Sequence, residues 1–248
     1  MIISDIKKTK HGYNVYIDQE IIHLEMRVFL DHKLKKNQTI TLKQFRDIIK
    51  DNEIAYIKRK AVIYVARQRS TLEFKTYLRS LNASKGLIES LTKTFKEKGY
   101  LNDKQYASDY VIRYEHKYGK NRLKTMLINK GIHKDIIENT LKNHVDMNVE
   151  LQVKRLCLSV RKENYQKTKE TIQRRCLNLG YDLKDINTYI DKYLKDDFDE
   201  LSTIKPYYER AKRKFNHYES PKKEEAIKNA LLRRGFHYDT IKKILEEV

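Results

Sequence analysis

Tryptophan is absent from this 248-residue chain, and cysteine, proline and glycine are scarce, at two, two and seven residues. Because proline and glycine are the main breakers of regular structure, their scarcity favours long helices. Cys157 and Cys176 stand alone on helical patterns, so we expect two small core residues in a reducing compartment. No apolar run approaches the ~20 residues that cross a bilayer, and residues 1–10 lack the apolar segment of a secretion signal. The sequence therefore predicts a cytoplasmic protein.

Signatures of catalysis are also missing. The chain has no glycine-rich phosphate loop and no Gly-Lys-Ser/Thr of a nucleotide site. Its eight histidines include no i,i+4 pair and no cysteine neighbour at ligand spacing. The acidic residues Asp196, Asp197, Asp199 and Glu200 could hold magnesium or form a solvated loop between helices, and we favour the loop. The sequence thus predicts a protein that is not an enzyme and uses no metal and no cofactor.

A fourfold pattern dominates what is present. Apolar residues stand 8 and 4 positions before a stop residue and 6 positions after it. The copies are Phe74-Leu78-Asn82-Ile88, Leu123-Leu127-Gly131-Ile137, Ile172-Cys176-Gly180-Ile186 and Ile227-Leu231-Gly235-Ile241. Each copy is typical of an apolar helix face, a left-handed stop and a second apolar helix, and asparagine is the best replacement for glycine at such a stop. Arrays of small helical units usually bind extended partners.

The organisation that follows is mainly α, with tandem three-helix repeats forming an elongated curved array and a small N-terminal α+β module. Alternation at Tyr13, Val15 and Ile17 predicts a strand, flanked by strands at 2–8 and 21–24, with a short helix near 25–34. A capping box at Thr41 and Gln44 predicts a helix over 42–50, and a new helical stripe begins at 54. The predicted divisions are the module (1–51), a linking helix with the first repeat (52–118), the second repeat (119–164), the third (165–217) and a two-helix piece (218–248).

Several segments of the first copy carry a resemblance to a known family. They are Arg69–Phe74, Lys98–Asp103 followed by Tyr106-Ala107, and Tyr118–Leu123. In this order and spacing they resemble the RecX family, modulators of the RecA recombinase. The match covers about residues 59–142 well and the later repeats by architecture, and the N-terminal module is similar to an extension of longer members.

The resemblance has two departures and a set of implications. Asn82 replaces a usual Lys-Gly stop, and Asn121 stands where a glycine is often found; both are compatible with a helix end or cap. The resemblance implies a tandem three-helix fold and no catalytic chemistry. It further implies binding along the groove of a RecA–DNA filament, with modulation, mostly inhibition, of recombinase, ATPase and coprotease activity in DNA repair and the SOS response.

The net charge of +19 predicts a polyanionic or acidic partner. Residues 56–147 hold most of the excess, with 20 Lys+Arg against 9 Asp+Glu. The candidate partner- and DNA-binding residues form a first cluster, a second cluster and two later pairs: Arg67, Arg69, Lys75 and Arg79; Arg113, Lys117, Lys120, Arg122 and Lys124; then Arg174-Arg175 and Arg233-Arg234. For the first two clusters we favour a contact surface over an ordinary solvated face. For the later pairs, favourable electrostatics at a helix C-terminus is an equal alternative.

Tyrosine is abundant, at eighteen residues. Tyr106, Tyr110, Tyr114 and Tyr118 follow an i,i+4 ladder on one side of a helix. They could stack bases beside Arg113 and Lys117, but we favour a packing seam between the first two copies.

Two functions remain open at this point. The leading hypothesis is a monomeric, non-enzymatic regulator that binds the RecA filament and, more weakly, single- and double-stranded DNA, with no membrane partner. The alternative is a standalone basic helical module that binds nucleic acid.

Overall fold

The computed structural model describes residues 1–144, 146, 148–160, 165–194 and 199–246. These residues form three strands followed by thirteen helices. The chain divides into two compact units, one made of Met1–Ala107 and Ile128–Ile136, the other of Ser108–Leu127 and Ile137–Val248. In the described residues no helix is both long enough and apolar enough to span a membrane.

The N-terminal module is the predicted α+β element. Strands β1 (Ile3–Lys8), β2 (Gly12–Ile17) and β3 (Glu20–Glu25) form an antiparallel sheet in that order. The residues that alternate toward one face pack against the short helix α1 (Met26–Asp31) and the first turns of α2. That core contains Ile3, Val15, Ile17, Leu24, Val28, Leu34, Ile40 and Ile48. The predicted strands and the short helix are confirmed.

Helix α2 runs without interruption from Leu42 to Val65. The Thr41–Gln44 capping box at its start is confirmed, but the prediction that this helix ends near residue 50 is wrong. The polar residues read as a break instead bind the sheet: the Asn52 side chain accepts a hydrogen bond from the Glu25 N–H at 2.7 Å and donates one to the His23 carbonyl at 2.9 Å. The Asn52 side chain thus satisfies backbone N–H and carbonyl groups at the edge of β3, and the helix continues through these polar residues.

Arg59, further along α2, anchors the same strand. Its guanidinium donates hydrogen bonds to both oxygens of Glu25, at 2.8–3.0 Å, and the Glu25 side chain is only 7% exposed. Burial of a charge without its partner is costly, whereas the paired charges are satisfied.

We therefore expect Arg59→Met to lower the free energy of unfolding by about 2–4 kcal/mol, because it leaves the buried Glu25 carboxylate without its partner. Arg46→Met is the matched control, since Arg46 lies exposed on the same helix, and it should change stability by less than about 0.5 kcal/mol. Glu25→Gln should cost less than Arg59→Met, because it leaves no buried charge. Urea unfolding followed by circular dichroism measures all three; equal losses for the two arginine variants would contradict the anchor.

The remaining helices follow the predicted order with shifts at their ends. They are α3 (Thr71–Ser80), α4 (Lys85–Glu97), α5 (Asp103–Tyr114), α6 (Lys120–Asn129), α7 (Lys134–Leu141), α8 (Val149–Ser159), α9 (Tyr165–Leu179), α10 (Leu183–Tyr193), α11 (Glu200–Lys214), α12 (Ser220–Arg233) and α13 (Tyr238–Glu246). The capping box of Ser70 and Glu73 at the start of α3 is confirmed. The predicted third helix of the second copy extended to residue 162, and its last two residues lie outside the described part of the chain.

The fourfold pattern is confirmed in detail. All twelve apolar residues of the pattern are buried, with exposures between 0% and 7%. The stop residues Asn82, Gly131, Gly180 and Gly235 all have positive φ, from 56° to 92°. Backbone in this region favours glycine and tolerates asparagine. Helices therefore end where the pattern predicts.

The hydrophobic cores join helices differently from the sequence copies. One core contains residues of α2, α3 and α4, another those of α8, α9 and α10, and a third those of α11, α12 and α13. In each core the first helix precedes the two helices of a sequence copy. The two-helix piece at the end of the chain thus packs with α11 into a three-helix unit, while the division of the chain into sequence repeats stays a prediction.

A second repeated feature lies twelve positions before the first three stops. This position holds Ser70, Gly119 and Thr168, all small and buried, in the three copies that are followed by another. The start of each of these copies contacts the stop region of the next copy. A Cβ on Gly131 would lie 2.5 Å from Leu72, and the ring of Tyr165 lies 6.1 Å from that of His237. At Gly119 the lack of a side chain permits the close approach, since a Cβ there would lie 2.6 Å from the Gly180 carbonyl group.

Both cysteines are buried, as predicted. They lie in the core of α8, α9 and α10. Burial, followed by the neighbouring Cys157, raises the pKa of the Cys176 thiol to about 11. Cys176 therefore stays a protonated, unreactive core residue at neutral pH.

Candidate functional site

The first basic cluster surrounds helix α3. Arg67 and Arg79 are exposed, and Lys75 is half-buried one turn before Arg79. Because α3 has ten residues, its two ends are about 15 Å apart. The sequence cluster is therefore spread along one helix, with Arg67 before its start and Arg79 in its last turn.

Arg69 differs from the rest of this cluster. Its guanidinium carbon lies 4.6 Å from the ring centroid of Tyr64, which in turn stacks on Tyr77 with 3.9 Å between centroids and 7° between planes. The Arg69 Nε atom is buried and has no hydrogen-bond partner in the structure. Cation–π contact with a stacked pair holds Arg69 against the α2–α3 packing. Contacts within the fold thus set the position of the Arg69 side chain.

Glu73 provides the local counter-charge. Its carboxylate accepts a hydrogen bond from Lys130 Nζ at 2.7 Å. Burial alone would raise the pKa of Glu73, but the hydrogen bonds from Lys130 and from the Ser70 backbone, with the charges of Lys130 and Arg69, hold that pKa below its usual value. The Glu73 carboxylate therefore pairs with Lys130 and not with Arg67, Lys75 or Arg79.

The second basic cluster flanks the turn between α5 and α6. Its five residues are all exposed. Arg113 lies in the last turn of α5, Lys117 lies in the turn with its Nζ 5.1 Å from the Tyr118 ring centroid, and Lys120 opens α6. Lys124 is four residues after Lys120 and so shares its side of the helix. The structure therefore brings this cluster together around one turn.

That turn is clamped through its backbone. The Gly119 N–H donates to the Leu179 carbonyl at 2.8 Å, and the Asn121 N–H donates to the Gly180 carbonyl at 3.1 Å. A Cβ on Gly119 would lie 2.6 Å from the Gly180 carbonyl group, and one on Gly180 would lie 2.3 Å from the Arg122 nitrogen. Only glycine permits this approach. The basic turn is thus fixed to the stop of the third copy.

Asp146 adds a side-chain contact to the clamp. Its carboxylate accepts a hydrogen bond from the Lys120 N–H at 2.9 Å, at the start of α6. Burial raises the pKa of Asp146 above its usual value, and the hydrogen bond from Lys120 opposes that rise. The Lys120 backbone is held in this way while its ammonium group stays exposed.

The cations of the two clusters share one electrostatic property. None of the nine has a carboxylate within 4 Å among the described residues. Other cations of the chain do form such pairs, as Arg59 does with Glu25 and Lys192 with Glu150. The clusters singled out from sequence thus present unpaired charge to solvent, except at Arg69, which is half-buried and whose charge acts on Glu73.

The later pairs fall into three environments. Arg174 and Arg175 are exposed on α9, before its last turn. Arg233 donates from Nε to the Asn229 carbonyl at 3.3 Å near the end of α12, which favours the helix-end interpretation for this residue. Arg234 lies with its guanidinium carbon 4.4 Å from the Tyr207 ring centroid, at the wall of a cleft. The other basic residues of that cleft are Arg210 and Lys214, which were not among the residues predicted from sequence.

The tyrosine ladder is partly buried. Tyr106 is only 7% exposed, which removes its ring from contact with any base. The rings of Tyr110 and Tyr114 lie 4.6 Å apart and those of Tyr114 and Tyr118 6.4 Å apart, both tilted. These half-buried rings contact one another along the helix. The choice between a packing seam and a stacking surface stays a prediction.

The acidic run has a structural explanation where it is described. Asp196 and Asp197 lie outside the described residues. Asp199 caps α11 by accepting hydrogen bonds from the backbone N–H groups of Leu201 and Ser202. Glu200 is buried and accepts hydrogen bonds from the His237 backbone and the Thr240 hydroxyl. Within the described ranges, no three His, Cys, Asp or Glu side chains are grouped so that they could hold a metal ion.

The fold and its surfaces define a basic helical-repeat protein with an N-terminal α+β module. Comparison with known proteins gives the family. The regulatory protein RecX of Bacillus pumilus (strain SAFR-032) is 30% identical over 259 residues, covering 99% of this chain and 97% of that protein. RecX of Bacillus subtilis (strain 168) is 27% identical over 255 residues, covering 99% and 97%. The chain belongs to the RecX family of regulatory proteins.

Solved structures agree with this fold. A crystal structure of regulatory protein RecX superimposes with a TM-score of 0.54 at 20% identity, covering 77% of this chain and 98% of that one. RecX from Lactobacillus salivarius gives a TM-score of 0.52 at 25% identity, covering 58% and 97%. No protein-family model matches the chain. The similar RecX sequences and structures together confirm the resemblance to the RecX family seen in the first copy.

Proposed function

We propose that this protein is a non-enzymatic regulator that binds RecA filaments on DNA and inhibits their ATP hydrolysis, strand exchange and coprotease activity. Membership in the RecX family supports a regulatory role. The observation that carries the proposal is the second basic cluster, whose five exposed cations have no carboxylate within 4 Å among the described residues and surround a backbone-clamped turn. A fixed set of uncompensated cations favours an acidic, extended partner.

Repetition would strengthen such binding. A filament presents the same surface many times, and this chain carries exposed cations on several successive helices. Once one contact forms, the next becomes intramolecular, so that modest contacts add up to high avidity. The protein would then act as a monomer in the cytoplasm, on filaments that support DNA repair and the SOS response.

ATP hydrolysis by RecA on single-stranded DNA tests the proposal. The protein should inhibit the rate at amounts well below one chain per RecA protomer, because each bound chain would affect several protomers. A pull-down with RecA, with and without single-stranded DNA and nucleotide, should show retention that depends on filament assembly. If saturating protein leaves ATP hydrolysis and strand exchange unchanged, the proposal is wrong.

A second candidate function is a standalone module that binds nucleic acid, which the charge of residues 56–147 favours. Binding to phosphates alone is tolerant of sequence and weakens steeply as salt rises. This candidate requires submicromolar binding to DNA without RecA at moderate salt. Weak binding to bare DNA combined with strong binding to the RecA-coated filament would favour the regulator.

A further inference from the structure

A concave site lies within the last three-helix unit, formed by α11, α12 and the residue that follows each of these helices. Its volume is about 330 Å3, at the lower end of the range for sites that bind small ligands. Its charged and aromatic lining residues are Tyr207, Arg210, Lys214, Phe215, Arg233 and Arg234. We call this site the C-terminal cleft. Its lining includes no residue of the two basic clusters described above.

The charge of the C-terminal cleft has one sign. Four cations line it and no acidic residue does. Arg210, Lys214 and Arg233 have no carboxylate within 4 Å among the described residues. These three cations around a small volume repel one another, so an anion between them removes a local electrostatic cost. The lining therefore indicates an anionic ligand.

Helix spacing brings the cations of α11 together. Tyr207, Arg210 and Lys214 follow one another at intervals of three and four residues, so their side chains share one side of the helix. Arg210 and Lys214 are exposed. A phosphate between them would receive hydrogen bonds from a guanidinium fork and an ammonium group, both of which are good phosphate donors.

The aromatic part of the C-terminal cleft is braced from the core. The Tyr207 ring lies 5.6 Å from the ring of Phe236, which is only 3% exposed. On Tyr207 lies the guanidinium of Arg234, with its carbon 4.4 Å from the ring centroid. Guanidinium planes and aromatic rings are the surfaces on which bases of single-stranded nucleic acids stack. Phe215 supplies a second ring in the same lining.

We propose that the C-terminal cleft binds one nucleotide unit of a single-stranded nucleic acid. The phosphate is held between Arg210 and Lys214, with Arg233 beside them, and the base stacks on the Arg234 guanidinium or on Phe215. A small concave volume and a partly aromatic wall favour a nucleotide over a broad acidic protein surface. This inference does not depend on inhibition of RecA, and its tests use the protein and DNA alone.

The direct test is binding of a fluorescent oligothymidylate to the full-length protein, measured by anisotropy over a range of salt. Arg210→Gln with Lys214→Gln should weaken binding about tenfold at moderate salt. Because Arg210 and Lys214 hold one phosphate, and each neutralised phosphate contributes about 0.7 to the salt slope for single strands, the slope should fall by about 0.7. Lys205→Gln with Arg213→Gln is the matched control, since both residues are exposed on α11 and neither lines the C-terminal cleft. It should weaken binding by less than about twofold.

A second variant tests the cleft without removing a cation. Ala230 lies in the lining and is half-buried, so Ala230→Glu places a carboxylate among the four cations and should weaken binding as much as the double variant. Photocrosslinking of an iodouracil-substituted strand should label peptides that contain Tyr207 or Phe215. Equal affinities of the cleft and control variants, crosslinks found only elsewhere, or equal competition by a glutamate-rich peptide would each overturn the proposal.

Discussion

Gly180→Ala is expected to lower the free energy of unfolding by about 3–5 kcal/mol, because it combines two separate costs. Gly180 has a φ of 92°, a conformation that alanine adopts only under strain. Its Cβ would also lie 2.3 Å from the Arg122 nitrogen and 2.4 Å from the Arg122 Cβ. The clash involves backbone, so it cannot be relieved by rotating a side chain. Urea unfolding followed by circular dichroism measures the loss.

Alanine substitutions at three other glycines measure the backbone strain and the steric clash separately. Gly119→Ala tests close approach alone, since Gly119 does not have a positive φ but its Cβ would lie 2.6 Å from the Gly180 carbonyl group; we expect a loss of about 2–3 kcal/mol. Gly99→Ala tests strain alone, with a φ of 76° and open space around it, and should cost about 1–2 kcal/mol. Gly86→Ala has neither and should stay within about 1 kcal/mol of the parent. If Gly119→Ala behaves like Gly86→Ala, the backbone clamp does not contribute to stability.

The repeat could be predicted from sequence because its information is local. A helix ends when a residue adopts positive φ, and a glycine or asparagine such as Gly131 or Asn82 indicates that position in the sequence itself. The apolar residues four and eight positions earlier lie on one face by the helix period alone. No knowledge of distant contacts is required, and the structure agrees at every copy.

Helix α2 shows where local information ends. Residues 51–53 are all charged or amide side chains, which read as the break between two helices. Asn52 and Asp51 instead bond to the β3 strand and to His32, more than eighteen residues earlier in the chain. A polar residue that satisfies a distant backbone group cannot be distinguished from a solvated one without the fold.

The candidate binding residues likewise divide into those that are close in sequence and those that only the fold brings together. The second cluster could be predicted because its cations are close in sequence and flank a single turn. The C-terminal cleft joins Arg210 and Lys214 of one helix to Arg234 of another, and only the packing of α11 with α12 brings them together. One sequence signal existed, the i,i+4 spacing of Arg210 and Lys214 after Tyr207. The clamp at Gly119 also had a signal, since the small residues at Ser70, Gly119 and Thr168 occupy one repeat position.

Removing the charge of the second cluster is expected to raise the concentration of this protein that half-inhibits RecA ATP hydrolysis by about tenfold or more. The variant carries Arg113→Gln, Lys117→Gln, Lys120→Gln and Arg122→Gln. Each exposed charge contact contributes about 0.2–1 kcal/mol, and about 1.4 kcal/mol corresponds to a factor of ten. Four contacts made at once on a filament sum to about 0.8–4 kcal/mol, and the middle of that range corresponds to more than tenfold. Because these side chains are exposed and unpaired among the described residues, the helix content should not change.

A matched variant separates a contact surface from the overall field of a basic protein. Lys85→Gln, Lys93→Gln, Lys96→Gln and Lys98→Gln remove the same charge from exposed positions on and just after α4. Since long-range attraction depends on net charge and is screened within about 10 Å at 0.1 M salt, this variant should shift half-inhibition by less than about twofold. Equal shifts for the two variants would attribute binding to net charge alone. Unchanged inhibition by the cluster variant would instead place the filament contact on another part of the chain.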